Sequence, residues 1–134
     1  MIGYQSPAAR VGAKYEGWQD AAVIAKKVRA DFKAAQKAGE FPADIKVSVR
    51  CHKYSGGQSV KATMSGWDMD RVSFPMSDGG WIGRRMTEEA QRVQSRARAI
   101  VEAYNKNESD AMVDYFCVVY YSNAEWDYKL VYGE

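Results

Sequence analysis

Two stretches of period-two alternation, separated by a glycine pair, constrain this chain more than any other feature. In residues 45–52 the apolar positions Ile45, Val47, Val49 and Cys51 alternate with Lys46, Ser48, Arg50 and His52. Side chains of a strand point to opposite faces in turn, so this stretch predicts a half-buried strand with one wet face. Past YSGG, Val60, Ala62 and Met64 alternate with Ser59, Lys61 and Thr63 in the same manner. Two such strands joined through glycine predict a β-hairpin, with Gly56 and Gly57 both able to take φ > 0 at the turn. The competing reading makes the glycine pair an anion nest flanked by Arg50 and Lys53. No helical pattern follows the glycines, so a P-loop is excluded and the hairpin is favoured.

Helical periods lie on either side. Trp18, Ala21, Ala22, Ala25, Val28, Phe32 and Ala35 fall on one face, predicting a helix over roughly residues 18–38 that stops at Gly39 with Pro42 beyond. A second helix opens at Thr87 as N-cap, with Glu88 and Glu89 in its first turn and Ala90, Val93, Ala97, Ile100, Val101 and Tyr104 on its buried face. Between them, residues 66–86 hold Gly66, Pro75, Gly79, Gly80 and Gly83 without a clear period. They read as a long loop that packs down, with room for a short strand around Arg71–Phe74. Val113–Tyr121 is apolar on both faces and predicts a central strand. Ser122–Glu125 then reads as a turn, and Trp126, Tyr128, Leu130 and Tyr132 as a last strand. The expected fold is α+β in the order α-β-β-α-β-β, a mainly antiparallel four-stranded sheet with two helices on one face. Residues 1–16 are expected to be a flexible N-terminal arm, and 17–134 a single domain.

Charge and residue inventory narrow the function classes. Nineteen basic against seventeen acidic residues leave a net charge of +2, far from a strongly basic nucleic-acid binder or an acidic DNA mimic. No run approaches a signal peptide or membrane helix, and Cys51 and Cys117 have no metal-type spacing. A cytoplasmic protein with reduced thiols, and no membrane partner, is expected. His52 and Cys51 are adjacent in a strand, point to opposite faces and cannot easily share a metal. Glu108, Asp110 and Asp114 read as solvated turn formers rather than a hard-cation site. The chain has no G-x-S-x-G or H-E-x-x-H motif, and Ser55, Ser59 and Cys117 have no evident base. No catalytic residue, metal or cofactor is expected. An enzyme built on Ser55, Asp110 and Asp114 ranks last.

Two binding surfaces remain. Arg84 and Arg85 precede the second helix, Arg92 and Arg96 are spaced i, i+4 along it with Arg98 nearby, and Arg50, Lys53 and Lys61 are read onto the hairpin's wet face. Converging with Tyr54 and Tyr120, these cations would make a single-stranded nucleic-acid surface for DNA or RNA. The bland reading is a solvated helix face interrupted by Glu88, Glu89 and Glu102. For a protein partner, Tyr54, Trp67, Trp81, Arg84 and Arg85 are the expected contacts, because Trp, Tyr and Arg dominate interface energetics. Its bland counterpart has both Trp residues pinning the loop to the core.

Taken together, IKVSVRCHKYSGGQSVKATM and YNKNESDAMVDYF resemble a small domain of bacterial mobile-element proteins, the large polyvalent protein associated domain numbered twenty-nine in its series. Val47-Ser48-Val49-Arg50, Tyr54-Ser55-Gly56-Gly57, Ser59-Val60 and Met112-Val113-Asp114 occupy the family's places, over roughly residues 20–120. The long Gly- and Trp-containing segment 66–86 departs from the pattern. The resemblance implies context rather than chemistry: a phage or plasmid accessory protein that binds and occludes a host protein or complex, of the anti-CRISPR or anti-restriction type. Nucleic-acid binding through the arginine stripe is the alternative.

Overall fold

The structure, a computed structural model, describes residues 10–78, 81–107 and 120–133. In chain order the elements are β1 (Arg10–Val11), α1 (Ala21–Lys37), β2 (Lys46–Tyr54), β3 (Gly57–Ser65), α2 (Met69–Val72), β4 (Ser73–Asp78), β5 (Trp81–Met86), α3 (Glu88–Glu102), β6 (Lys106–Asn107), β7 (Tyr121–Trp126) and α4 (Tyr128–Tyr132).

Helix α1 begins where Asp20 accepts the Ala22 N–H at 3.1 Å, and it buries Ala21, Ile24, Ala25, Val28 and Phe32 at three- and four-residue spacing. Gly39, at φ +80°, ends the helical path as expected. Trp18 precedes the cap and is 67% exposed, so it is not the first core residue of the helix. Helix α3 opens on Thr87, whose hydroxyl accepts the Ala90 N–H at 3.1 Å, and buries Ala90, Val93, Ala97 and Val101.

The fold is mixed α+β, but among the described residues the expected four-stranded antiparallel sheet is replaced by a three-stranded sheet and two separate strand pairs. The larger sheet has the order β2-β3-β7, with β2 antiparallel and β7 parallel to the central β3. Gln58, Val60, Ala62 and Met64 of β3 are buried on one face, against which α1 and α3 both pack. Trp126 locks β7 to α3 by donating its indole N–H to the Ala90 carbonyl at 3.0 Å. Tyr120 is fully buried; its hydroxyl donates to the Val101 carbonyl, and Asn105 brackets its backbone at 2.7 and 3.2 Å.

Three readings of the sequence are corrected. Residues 66–86 are not one long loop: α2 and the antiparallel pair β4–β5 form there. Ser122–Glu125 is strand rather than turn, because the free edge of β3 pairs with it. The stretch after Asp127 is helix α4 rather than strand, with Asp127 as N-cap and the Tyr128 and Tyr132 rings in tilted contact one turn apart at 4.7 Å. Of Val113–Tyr121, residues 113–119 lie outside the described residues. Within the expected flexible arm, Gly12 and Lys14 donate backbone N–H groups to Asn105 and Ala103 at 2.8 and 2.7 Å, beside the β1–β6 pair.

Candidate functional site

The face of the three-stranded sheet turned away from α1 and α3 is where exposed chemistry collects. Strand alternation places Lys46, Ser48, Arg50, His52 and Tyr54 of β2 on it, with Ser59, Lys61 and Thr63 of β3 and Tyr121, Asn123 and Glu125 of β7 alongside by register. Across one end runs a row of rings. His52 stacks on Tyr54 at 5.6 Å and 29°, and Tyr54 on Tyr121 at 6.4 Å and 26°. Tyr54 and Tyr121 remain 42% and 49% exposed.

The glycine pair builds this row by dividing two tasks between its members. The connection between β2 and β3 consists of Ser55 and Gly56, with Tyr54 paired to Gly57. Gly56 alone of the two glycines takes the left-handed conformation, φ +89°. Gly57 is the first residue of β3, and a β-carbon there would stand 3.1 Å from the Tyr54 ring and 3.4 Å from the Tyr121 ring. The missing side chain lets both rings lie over the backbone.

Next to the rings, Arg50 and Lys61 face each other directly across β2–β3. Like charges opposed on a sheet destabilise it. Lys61 is partly offset by Glu125 at 2.5 Å, a pair half open to solvent and therefore weak. Arg50 has no ion-pair partner among the described residues. Rings beside an excess of cations form a surface suited to flat, anionic ligands.

The other expected contacts divide. Tyr54 and Arg50 stand on this face, as does Lys61. Lys53 does not: it falls on the helix-side register and pairs with the N-cap Asp20, whose carboxyl is held below its usual range by Lys53 first and the Ala22 N–H second. Arg92 and Arg96 belong to α3, near Glu88 at 4.0 Å and on the Glu40 carbonyl respectively. Arg92 and Arg96 therefore lie on the helix side of the sheet, away from Arg50 and Lys61, and the expected convergence does not occur; Arg98 reaches the β7 edge beside Asn123. Tyr120 is buried and takes no part.

Trp67 is a core residue, not a surface anchor. It is 6% exposed, packs on Trp126 at 5.1 Å, and carries the Arg71 guanidinium 3.5 Å above its ring. Its buried indole N–H makes no hydrogen bond of ordinary geometry but lies near Asp44, whose carboxyl it holds low. Arg71 in turn binds Glu89 at 3.0 Å and Asp44 at 3.2 Å. Arg84 is likewise structural: it donates to the Ser73 hydroxyl and carbonyl, each at 2.8 Å, while that hydroxyl donates to the Leu130 carbonyl. Arg85 is exposed, opposite Phe74 on the β4–β5 pair. Trp81 stands on β5 opposite Asp78, and its side chain lies outside the described residues. Glu108, Asp110, Asp114 and Cys117 lie outside them as well, as does the Met112-Val113-Asp114 match.

Tyr121, His52 and Gly57 were not singled out by sequence reasoning as members of one surface. Tyr121 reaches it only through the parallel register opposite Ser59, for which no local pattern exists. Among the described residues no three His, Cys, Asp or Glu side chains stand together as a metal site, and no helix is long and apolar enough to cross a membrane. No family model matches the chain, and neither a curated protein nor a solved structure matches it.

Proposed function

We propose that the chain is a non-catalytic binding protein whose docking surface is the open face of the three-stranded sheet, and that its ligand is single-stranded nucleic acid. The observation that carries this reading is the stacked row His52–Tyr54–Tyr121 beside the opposed cations Arg50 and Lys61. Bases stack on exposed aromatic rings with little regard to sequence, while cations track the phosphates. Opposing Arg50 to Lys61 costs stability in the free protein, and an anionic ligand relieves that cost. Titration with short single- and double-stranded DNA and RNA at two salt concentrations tests the reading. Single strands should bind better than duplexes, with a salt slope of roughly −2 for Lys46, Arg50 and Lys61 acting together. No single-strand binding at low salt removes the proposal.

The net charge of only +2 favours a second reading, in which the same rings dock on a host protein. This is the occluding, counter-defence role in a phage or plasmid setting that the mobile-element resemblance suggests. Tyr54 and Arg85 are its exposed contacts. Recovery of a partner from the native host, lost on Tyr54→Ala, supports this alternative; recovery unchanged by that substitution counts against it.

A further inference from the structure

A second feature adjoins the ring row. Between the β2–β3 turn and the entry to α1 lies a cleft of about 410 Å³, lined by Trp18, Asp20, Lys53, Tyr54, Gly56, Gly57 and Gln58. That volume is within the range of small-ligand sites. Its polar lining is anchored to the protein itself. The Gln58 amide accepts the Ala21 N–H at 2.8 Å and donates to the Gln19 carbonyl at 2.7 Å. Asp20 caps Ala22 and pairs with Lys53. The cleft's stacking surfaces are two exposed rings, Trp18, 67% exposed, and Tyr54, 42% exposed, set beside the Asp20–Lys53 ion pair. Lys53, 62% exposed, stands at its edge with its ammonium paired to Asp20. Such a site recognises a flat ring by stacking rather than by hydrogen-bond pattern.

We propose that this cleft receives one unpaired nucleobase, stacked on Trp18 and Tyr54, at the end of a strand carried on the sheet face. The assignment of the strand rests on the reading of that face as a nucleic-acid surface; the cleft's affinity for a base does not. Tyr54 belongs to both, which makes the cleft continuous with the ring row. Trp18 lies outside α1 and outside the core, so its ring is open to a ligand in the cleft.

Adenosine 5′-monophosphate and a series of short oligothymidylates separate the two levels. Titrating the nucleotide at millimolar concentration should shift the Trp18 indole N–H resonance, identified by its loss in Trp18→Phe. An unmoved Trp18 signal overturns the cleft, whatever the oligonucleotides do. Trp18→Ala should weaken the longer oligothymidylates about tenfold with an unchanged salt slope, because a stack and not a charge is removed. Dinucleotides that occupy only the sheet face should lose nothing. Equal affinity of wild type and Trp18→Ala for every oligomer also overturns the cleft. Nucleotide-induced shifts without any oligonucleotide binding would support the cleft and remove the sheet-face reading instead.

Discussion

A β-carbon at Gly57 would stand 3.1 Å from the Tyr54 ring, tighter than ordinary packing allows, so the ring's position depends on that glycine having no side chain. Gly57 is not among the glycines with positive φ, and its backbone accepts alanine. Gly57→Ala should therefore leave the fold intact, changing stability by less than about 1 kcal/mol, while displacing Tyr54 and weakening ligand binding several-fold. Gly56→Ala should do the opposite. It forces alanine to φ +89° in the turn, costing about 1 kcal/mol, without touching the rings. Chemical denaturation and oligonucleotide titration of both variants check the contrast.

Arg50 tests whether the sheet face is arranged for a ligand or only for solvent. Arg50→Ala removes a like-charge opposition with Lys61, so its melting temperature should be unchanged or slightly higher than wild type. Binding should weaken, and the salt slope should flatten by about 0.7. Undiminished binding in this variant would remove Arg50 from the site.

The cluster at the end of the sheet makes stability depend on acid. The carboxyl of Glu89 is held low chiefly by its hydrogen bond from Arg71, and that of Asp44 chiefly by the Trp67 indole N–H. Depressed folded-state values mean that the stabilisation is present above the unfolded carboxylate range and is lost as pH falls through the folded values. The urea midpoint should fall between about pH 5 and about pH 2, and Arg71→Gln should flatten that fall. An identical pH profile in the variant would dissociate Arg71 from the effect.

Trp67→Ala should destabilise the protein by about 3–5 kcal/mol, since it empties a buried site packed on Trp126. Thermal unfolding measures this directly. Trp18→Ala, at an exposed position, should leave the melting temperature within about 2 °C of wild type. A large stability loss from Trp18→Ala would place that residue in the core.

The local elements could be read from the chain because local rules decided them. Three- and four-residue spacing produced α1 and α3, Thr87 capped as its type predicts, and alternation about Gly56 produced the hairpin. What escaped was decided at long range. Ser122–Glu125 has turn composition, yet the unpaired edge of β3 recruits it into a strand. Tyr128 and Tyr132 satisfy both a two-residue and a four-residue period, and the Asp127 cap resolves the ambiguity toward helix. The candidate site was half legible for the same reason. Tyr54, Arg50 and Lys61 follow from the hairpin alone, whereas Tyr121 requires knowing where a distant segment docks. Lys53 stands on the other face because parity along β2 puts it with Val49 and Cys51 rather than with Arg50.

The parallel pairing of β3 with β7 also bears on how the molecule comes to be made. A nascent chain completes α1, β2 and β3 early, yet the partner for the outer edge of β3 emerges only after β4, β5 and α3 have been synthesised. Closing so long a loop is entropically costly and slow, and until then that edge exposes unpaired backbone groups beside Val60 and Met64. Docking of β7 thus ends a window of vulnerability to intermolecular pairing at that edge. Truncations that remove β7 should accumulate as aggregates rather than as a smaller soluble domain.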